Sequence, residues 1–205
     1  AFRSYLDDLF GTVLYFDTTK RGNEHTLLLN VETVNDQYLA NSNVLQEVLD
    51  LIHTVIFSPN LENDAFVSSI VEREKEMVLE RIHSIFDDKA RYAQYRLMQI
   101  LRPNHPASIS ANGTIETVKA VTPQSLKAAY DSMLQNDTVD IYVVGDIDIE
   151  EMTEKLRQVL AFGDRELHEK QLKTEIDTKP EEYTKEQQEM KQGKLHIGFS
   201  TPVYF

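Results

Sequence analysis

The feature that most restricts how this chain can fold is a change of hydrophobic period at Asn43. Before it, residues 12–17 (TVLYFD) and 26–33 (TLLLNVET) are rich in β-branched, aromatic and leucine side chains. Lys20-Arg21-Gly22-Asn23 lies between them as turn chemistry, so the pair reads as an antiparallel hairpin. After it, Val44, Leu45, Val48, Leu49, Ile52, Val55 and Ile56 recur at helical spacing. That stripe is broad enough to be buried against a sheet, which predicts a helix over 43–57. Ser42 or Asn43 is placed to cap it, and Ser58-Pro59-Asn60 to stop it. The switch of period predicts an α+β fold with antiparallel strands, not a parallel doubly wound sheet.

A longer helix is expected over 63–86, with an apolar face of Val67, Ile70, Val71, Val78, Ile82 and Ile85. Glu74 and Arg81 fall on the same face: seven residues at 100° each leave them about 20° apart around the axis. Charge on a core-facing stripe is costly unless it is paired or faces a cavity. A helix over 89–101 follows and is broken at Arg102-Pro103-Asn104-His105-Pro106, with a Ser/Asn/Gly loop running on to Gly113. Thr122-Pro123, an N-cap with proline at the first helical position, opens a helix through Met133. Residues 138–144 (TVDIYVV) read as the clearest strand of the chain, ended by Gly145-Asp146, and Asp148 caps a helix to about Leu160. At the start, residues 3–9 read as a helix tail ended by Gly11.

The remaining composition excludes several functions. With 34 acidic against 21 basic residues the net charge is −13, which argues against nucleic acid and against an anionic membrane surface as partner. Zero cysteines exclude disulfides, thiol nucleophiles and Cys-ligated metals, and suit the cytoplasm. No run approaches the roughly 20 apolar residues of a membrane span. No nucleophile elbow or glycine-rich phosphate loop occurs. Residues 163–192 hold 15 charged side chains in 30, the composition of a linker or a solvated hairpin. Residues 195–199 (LHIGF) look like the first strand of a further unit. The opening without Met and the close on Thr201-Pro202-Val203-Tyr204-Phe205 suggest a piece of a longer protein.

Taken in order, several motifs form a recognisable series. They are Phe57-Ser58-Pro59, the helix with Glu72-Arg73-Glu74-Lys75-Glu76-Met77-Val78-Leu79-Glu80, and His105-Pro106 followed by Gly113. Val121-Thr122-Pro123 and Val143-Val144-Gly145-Asp146 complete it. Over most of residues 14–162 this resembles the insulinase/pitrilysin family of zinc metallopeptidases and its non-catalytic relatives. The resemblance implies an antiparallel sheet with helices packed on one face, repeated in tandem, two halves enclosing a peptide-sized chamber. It divides the chain into a truncated N-terminal peptidase-like domain (1–162), a charged linker (163–192) and the first strand of a second homologous domain (193–205). Active members carry H-x-x-E-H, in which two His bind zinc and the Glu activates water, with a third ligand Glu from the helix resembling 63–86.

The sequence departs from that pattern twice. His25, His53, His83, His105, His168 and His196 include no i, i+4 pair, and the missing motif would fall before Ala1. Seven residues beyond Glu74, where the active pattern has its ligand Glu, stands Arg81; Glu80 is one position short and, at 100° per residue, points elsewhere. Glu74 and Arg81 therefore have two readings. One is a salt bridge on a partly solvated stripe. The other is a degenerate metal site, facing the chamber, whose guanidinium supplies the charge zinc would have brought. His105 and His196 read as turn and strand residues, and His83 as solvated.

The resulting expectation is a non-catalytic homologue with no catalytic or metal-binding residues and no cofactor of its own. It would hold unfolded or extended peptide, as partner subunit of an active homologue. The first alternative is an active zinc metalloendopeptidase with its motif upstream and Glu80 or another carboxylate as ligand. The second is a structural assembly subunit with the same fold.

Overall fold

A computed structural model of the chain describes residues 2–21, 24–39, 43–103, 105–165, 182–199 and 201. Helix α1 (Phe2–Asp8) ends where Phe10 and Gly11 both adopt positive φ, 54° and 74°, the left-handed exit that glycine accommodates without strain. Strands β1 (Val13–Arg21) and β2 (Glu24–Glu32) then form the expected hairpin, antiparallel, with Val13 opposite Glu32 and Arg21 opposite Glu24. Both strands run further toward the turn than the apolar pattern alone predicts, carried by polar cross-strand pairs such as Thr19 with Thr26.

Helix α2 (Val44–Phe57) is the centre of the core. Its Val44, Val48 and Leu51 cluster with Leu9, and Leu14 and Val31 of the hairpin pack on them. Of the two capping candidates, Ser42 lies outside the described residues. Asn43 makes no side-chain cap bond; the carboxylate of Asp36, in the preceding 3-10 turn (Asp36–Tyr38), accepts from the Leu45 amide at 3.2 Å. A carboxylate at a helix N-terminus satisfies an orphan donor and complements the dipole, so a residue seven positions upstream does the work of the cap.

The helix expected from residue 63 starts later. Residues 61–66 instead make a two-residue hairpin of β3 (Leu61–Glu62) and β4 (Ala65–Phe66), turning through Asn63 and Asp64 at φ 51° and 60°. Two consecutive positive φ values define the hairpin turn that Asn and Asp tolerate best after glycine. Helix α3 (Ser68–Asp87) follows, then α4 (Lys89–Leu101), with Asp88 between them accepting from the amides of Ala90 and Arg91. A second 3-10 turn (Pro106–Ser108) leads to α5 (Ile115–Ala120), a short helix the hydrophobic pattern does not announce. Thr122 builds a full capping box with Ser125 ahead of α6 (Pro123–Asn136), and Asp148 caps α7 (Ile149–Val159) through the Glu151 amide. Packing joins α3 to α4 and α5, α6 to β4, and α2 to α7.

The strand expected over 138–144 is not formed with any described residue. Tyr142 is 88% and Val144 98% exposed. A strand needs a partner ladder, and among the described residues neither hairpin pairs with this stretch. Residues 195–199 likewise pair with no described strand. Of the charged stretch 163–192, residues 166–181 lie outside the described residues, as do His168 and the last residues, 202–205. The architecture is α+β: seven α-helices among the described residues with small antiparallel sheets.

Candidate functional site

Helix α3 turns only part of its apolar face inward. Val71 and Ile82 are buried, while Ile70 and Met77 stay exposed, so the charges that share the face meet solvent instead of core. Lys75 fastens the helix by donating to the Val121 carbonyl at 2.9 Å and to Glu72 at 3.0 Å. Glu74 is half-exposed and pairs with its neighbour Arg73 at 3.1 Å, not with Arg81. The reason is geometric: the seven residues between Glu74 and Arg81 bring them to one side of the helix but separate them by about 10.5 Å along its axis.

Arg81 instead lines a cleft of about 480 Å³. Ser84 and Ile85 of α3 continue its wall; Arg91, Gln94, Tyr95 and Met98 of α4 face them, and Ser108, Ile109 and Asn112 close one end. The closing loop is itself held. Ser108 donates to the His105 carbonyl at 2.7 Å, and Lys20, near the tip of the β1–β2 hairpin, donates to the carbonyls of Pro106 and Ile109. His105 takes part in that turn through its backbone, donating to Arg102 and accepting from Ser108. Glu74 is not a wall residue, so of the two sequence candidates only Arg81 reaches the cleft. Arg91 was not singled out by the sequence, because position 91 becomes significant only once α3 and α4 fold back on each other.

A second polar cluster sits on another part of α4. Glu186 accepts from Arg96 Nε at 2.7 Å and from the Tyr92 hydroxyl at 2.9 Å. The hydrogen bond from Arg96, with that from Tyr92, lowers the Glu186 pKa, and the same bond raises that of Arg96. Burial, then the Glu186 hydrogen bond, raises the Tyr92 phenol. Nearby, Gly198 lies so close to the methyl groups of Leu97 and Leu101 that a Cβ there would stand 3.2 Å from each. The described stretch 182–199 thus runs along α4 and is fixed at both of these points.

The described residues do not fit a zinc site. Among the described residues no three His, Cys, Asp or Glu side chains gather into a group able to hold a metal ion. Glu80 is exposed on α3, and the adjacent Arg81 brings a permanent positive charge. Among the described residues, no helix is long and apolar enough to cross a membrane.

Residues 120–204 match the family described as the peptidase M16 inactive domain. YmfF of Bacillus subtilis (strain 168), described as a "probable inactive metalloprotease", is 36% identical over 205 residues, which is 99% of this chain and 48% of YmfF. YmfH of the same organism, described as an "uncharacterized zinc protease", is 23% identical over 146 residues, 71% of this chain and 32% of YmfH. The chain thus spans about half the length of YmfF and less of YmfH. Among solved structures, a conserved protein from Enterococcus faecalis V583 superposes with a TM-score of 0.76 at 33% identity, over 80% of this chain and 39% of that one. A "putative M16-like peptidase" from Alicyclobacillus acidocaldarius shares the fold at TM-score 0.52 and 20% identity, over 76% of this chain and 33% of that one. With the motif order, the α+β architecture and these matches in agreement, the chain belongs to the insulinase-like M16 peptidase family.

Proposed function

We propose that the protein is a non-catalytic member of this family, and that it holds extended peptide as the partner subunit of an active homologue. The observation that carries this reading is Arg81. It occupies the place on α3 where the active pattern has its ligand carboxylate, and it faces a cleft. A guanidinium there repels a divalent cation and attracts carboxylates. The description of YmfF as an inactive metalloprotease supports the same reading. The full-length protein is expected to purify without stoichiometric zinc by elemental analysis, to lack peptidase activity, and to bind unfolded peptides in a fluorescence anisotropy titration. Stoichiometric zinc in the unmodified protein overturns the non-catalytic reading.

A second reading, an active zinc endopeptidase, draws on the likeness to YmfH, described as a zinc protease, and on Glu80 beside Arg81. It requires H-x-x-E-H in the full-length sequence. An Arg81→Glu variant separates the two, because zinc uptake only after that change means the rest of the site is intact and Arg81 alone blocks it.

A further inference from the structure

We infer that the cleft between α3 and α4 takes an acidic side chain of an extended peptide, with Arg81 and Arg91 as its carboxylate fork and an apolar neighbour of that side chain against Ile85 and Met98. The inference rests on the peptide-holding reading and narrows it to a class of peptide.

Other described cations, Arg102 and Arg157 among them, also go without an ion pair; what sets Arg81 and Arg91 apart is that they share one concavity. The chain carries 34 acidic residues against 21 basic, so a cation has carboxylates in easy supply. Arg73, Lys75, Arg96, Lys127 and Lys155 all take one. Lys20 and Arg165 are spent on backbone carbonyls. The guanidinium groups of Arg81 and Arg91 have no hydrogen-bond or ion-pair partner among the described residues, yet both line one concavity whose wall contains no carboxylate.

The neutral lining sharpens the chemistry. The hydroxyls of Ser84 and Ser108 donate to the carbonyls of Arg81 and His105, so their protons are committed. The side-chain amides of Gln94 and Asn112 have no partner among the described residues and remain able to donate to an oxyanion or to a peptide carbonyl. Arginine's planar fork matches a carboxylate in two parallel bonds. A bare phosphate would satisfy the same charges but would leave Ile85 and Met98 unused, whereas a glutamate beside an apolar residue uses both halves of the wall.

The test is anisotropy titration of the full-length protein with a labelled unfolded peptide carrying one central Glu between apolar residues. The same peptide with Gln in that place and inorganic phosphate as competitor form the other arms. The Glu peptide is expected to bind about tenfold tighter than the Gln peptide, the size of one charge-assisted hydrogen bond. The double variant Arg81→Gln/Arg91→Gln should reduce the Glu peptide to the level of the Gln peptide and leave the latter unchanged. Arg81→Lys/Arg91→Lys, which keeps charge but loses the fork, should fall between, and Arg73→Gln should have no effect. Equal affinity for the two peptides overturns this inference and leaves peptide holding intact. Failure of both peptides to bind removes peptide holding and this inference together. Phosphate that displaces the Glu peptide fully at equal concentration shows an oxyanion site without peptide character and also overturns it.

Discussion

Helix α2 and the stretch 138–144 are about equally apolar in sequence, yet they end in opposite environments. In α2, Val48 is 2% and Leu49 4% exposed; in the other stretch Val144 is 98% exposed. What separates them is the number of partners each finds. A helix satisfies its own backbone, so α2 needs only side-chain neighbours, which α1, the β1–β2 hairpin and α7 supply. A strand must also find a ladder for its N–H and C=O groups, and the described residues give 138–144 none. Apolar composition states what a segment would bury; topology decides whether it does.

The sharpest test of that contrast is Leu49→Ala. It should cost roughly 2–5 kcal/mol in urea denaturation, the range for a buried leucine truncated to alanine. A loss under about 1 kcal/mol would mean that α2 is not the core element the packing makes it. Next in size is Tyr130→Phe. The Tyr130 hydroxyl donates to the Ile56 carbonyl in the last turn of α2, and it is partly buried. Its removal should cost about 0.5–1.5 kcal/mol by the same denaturation assay. No change would show that α2 is held by packing alone.

The stretch 182–199 offers an intermediate case, with apolar tips exposed but polar bonds holding it to α4. Glu186 has its pKa lowered chiefly by the hydrogen bond from Arg96, so its contact contributes stability above the ordinary glutamate value, about 4.3, and loses it as pH falls through the lowered one. Limited proteolysis within 182–199 is therefore expected to accelerate on acidification below pH 4, and Glu186→Gln should show the faster cutting already at neutral pH. Both residues of the pair are about one-third exposed, so the effect on global stability should be small. The smallest change is expected for Val144→Ser, within about 0.5 kcal/mol. A loss as large as that of Leu49→Ala would break the comparison, because it would show Val144 buried in the full-length protein.

The same contrast explains what was legible beforehand. Helices α2 and α4 follow from periodicity, and α6 and α7 from periodicity with the Thr122 and Asp148 caps, because those signals are local, whereas Asp36 as the cap of α2 is not. The β1–β2 hairpin was readable for the same reason. Asn63 and Asp64 suit the head of a helix and a positive-φ turn equally well, and only the backbone distinguishes the two uses. Helix α5 escaped because six residues make too little of a period. In the cleft, Arg81 was legible as a charge out of place, but its pairing with Glu74 was not realised, since angular coincidence ignored the rise along the axis. Arg91 could not be found at all without the fold-back of α3 on α4.

The clasp between the segment after β2 and the turn before α7 has a kinetic meaning. Asn35 donates to the Asp146 carbonyl at 2.6 Å and Gln37 to the Asp146 carboxylate at 3.0 Å, across sequence separations of 111 and 109 residues. Such a contact adds little loop-closure entropy beyond that of a loop half as long, about 0.6 kcal/mol per doubling. Its demand falls on time instead. A ribosome must release the chain past Asp146 before this clasp can close, so Asn35 and Gln37 are secured later than the hairpin, whose packing on α2 needs only residues up to Phe57. During synthesis the segment after β2 therefore waits for its distant partner while the hairpin already has α2, and closing the clasp is the later step.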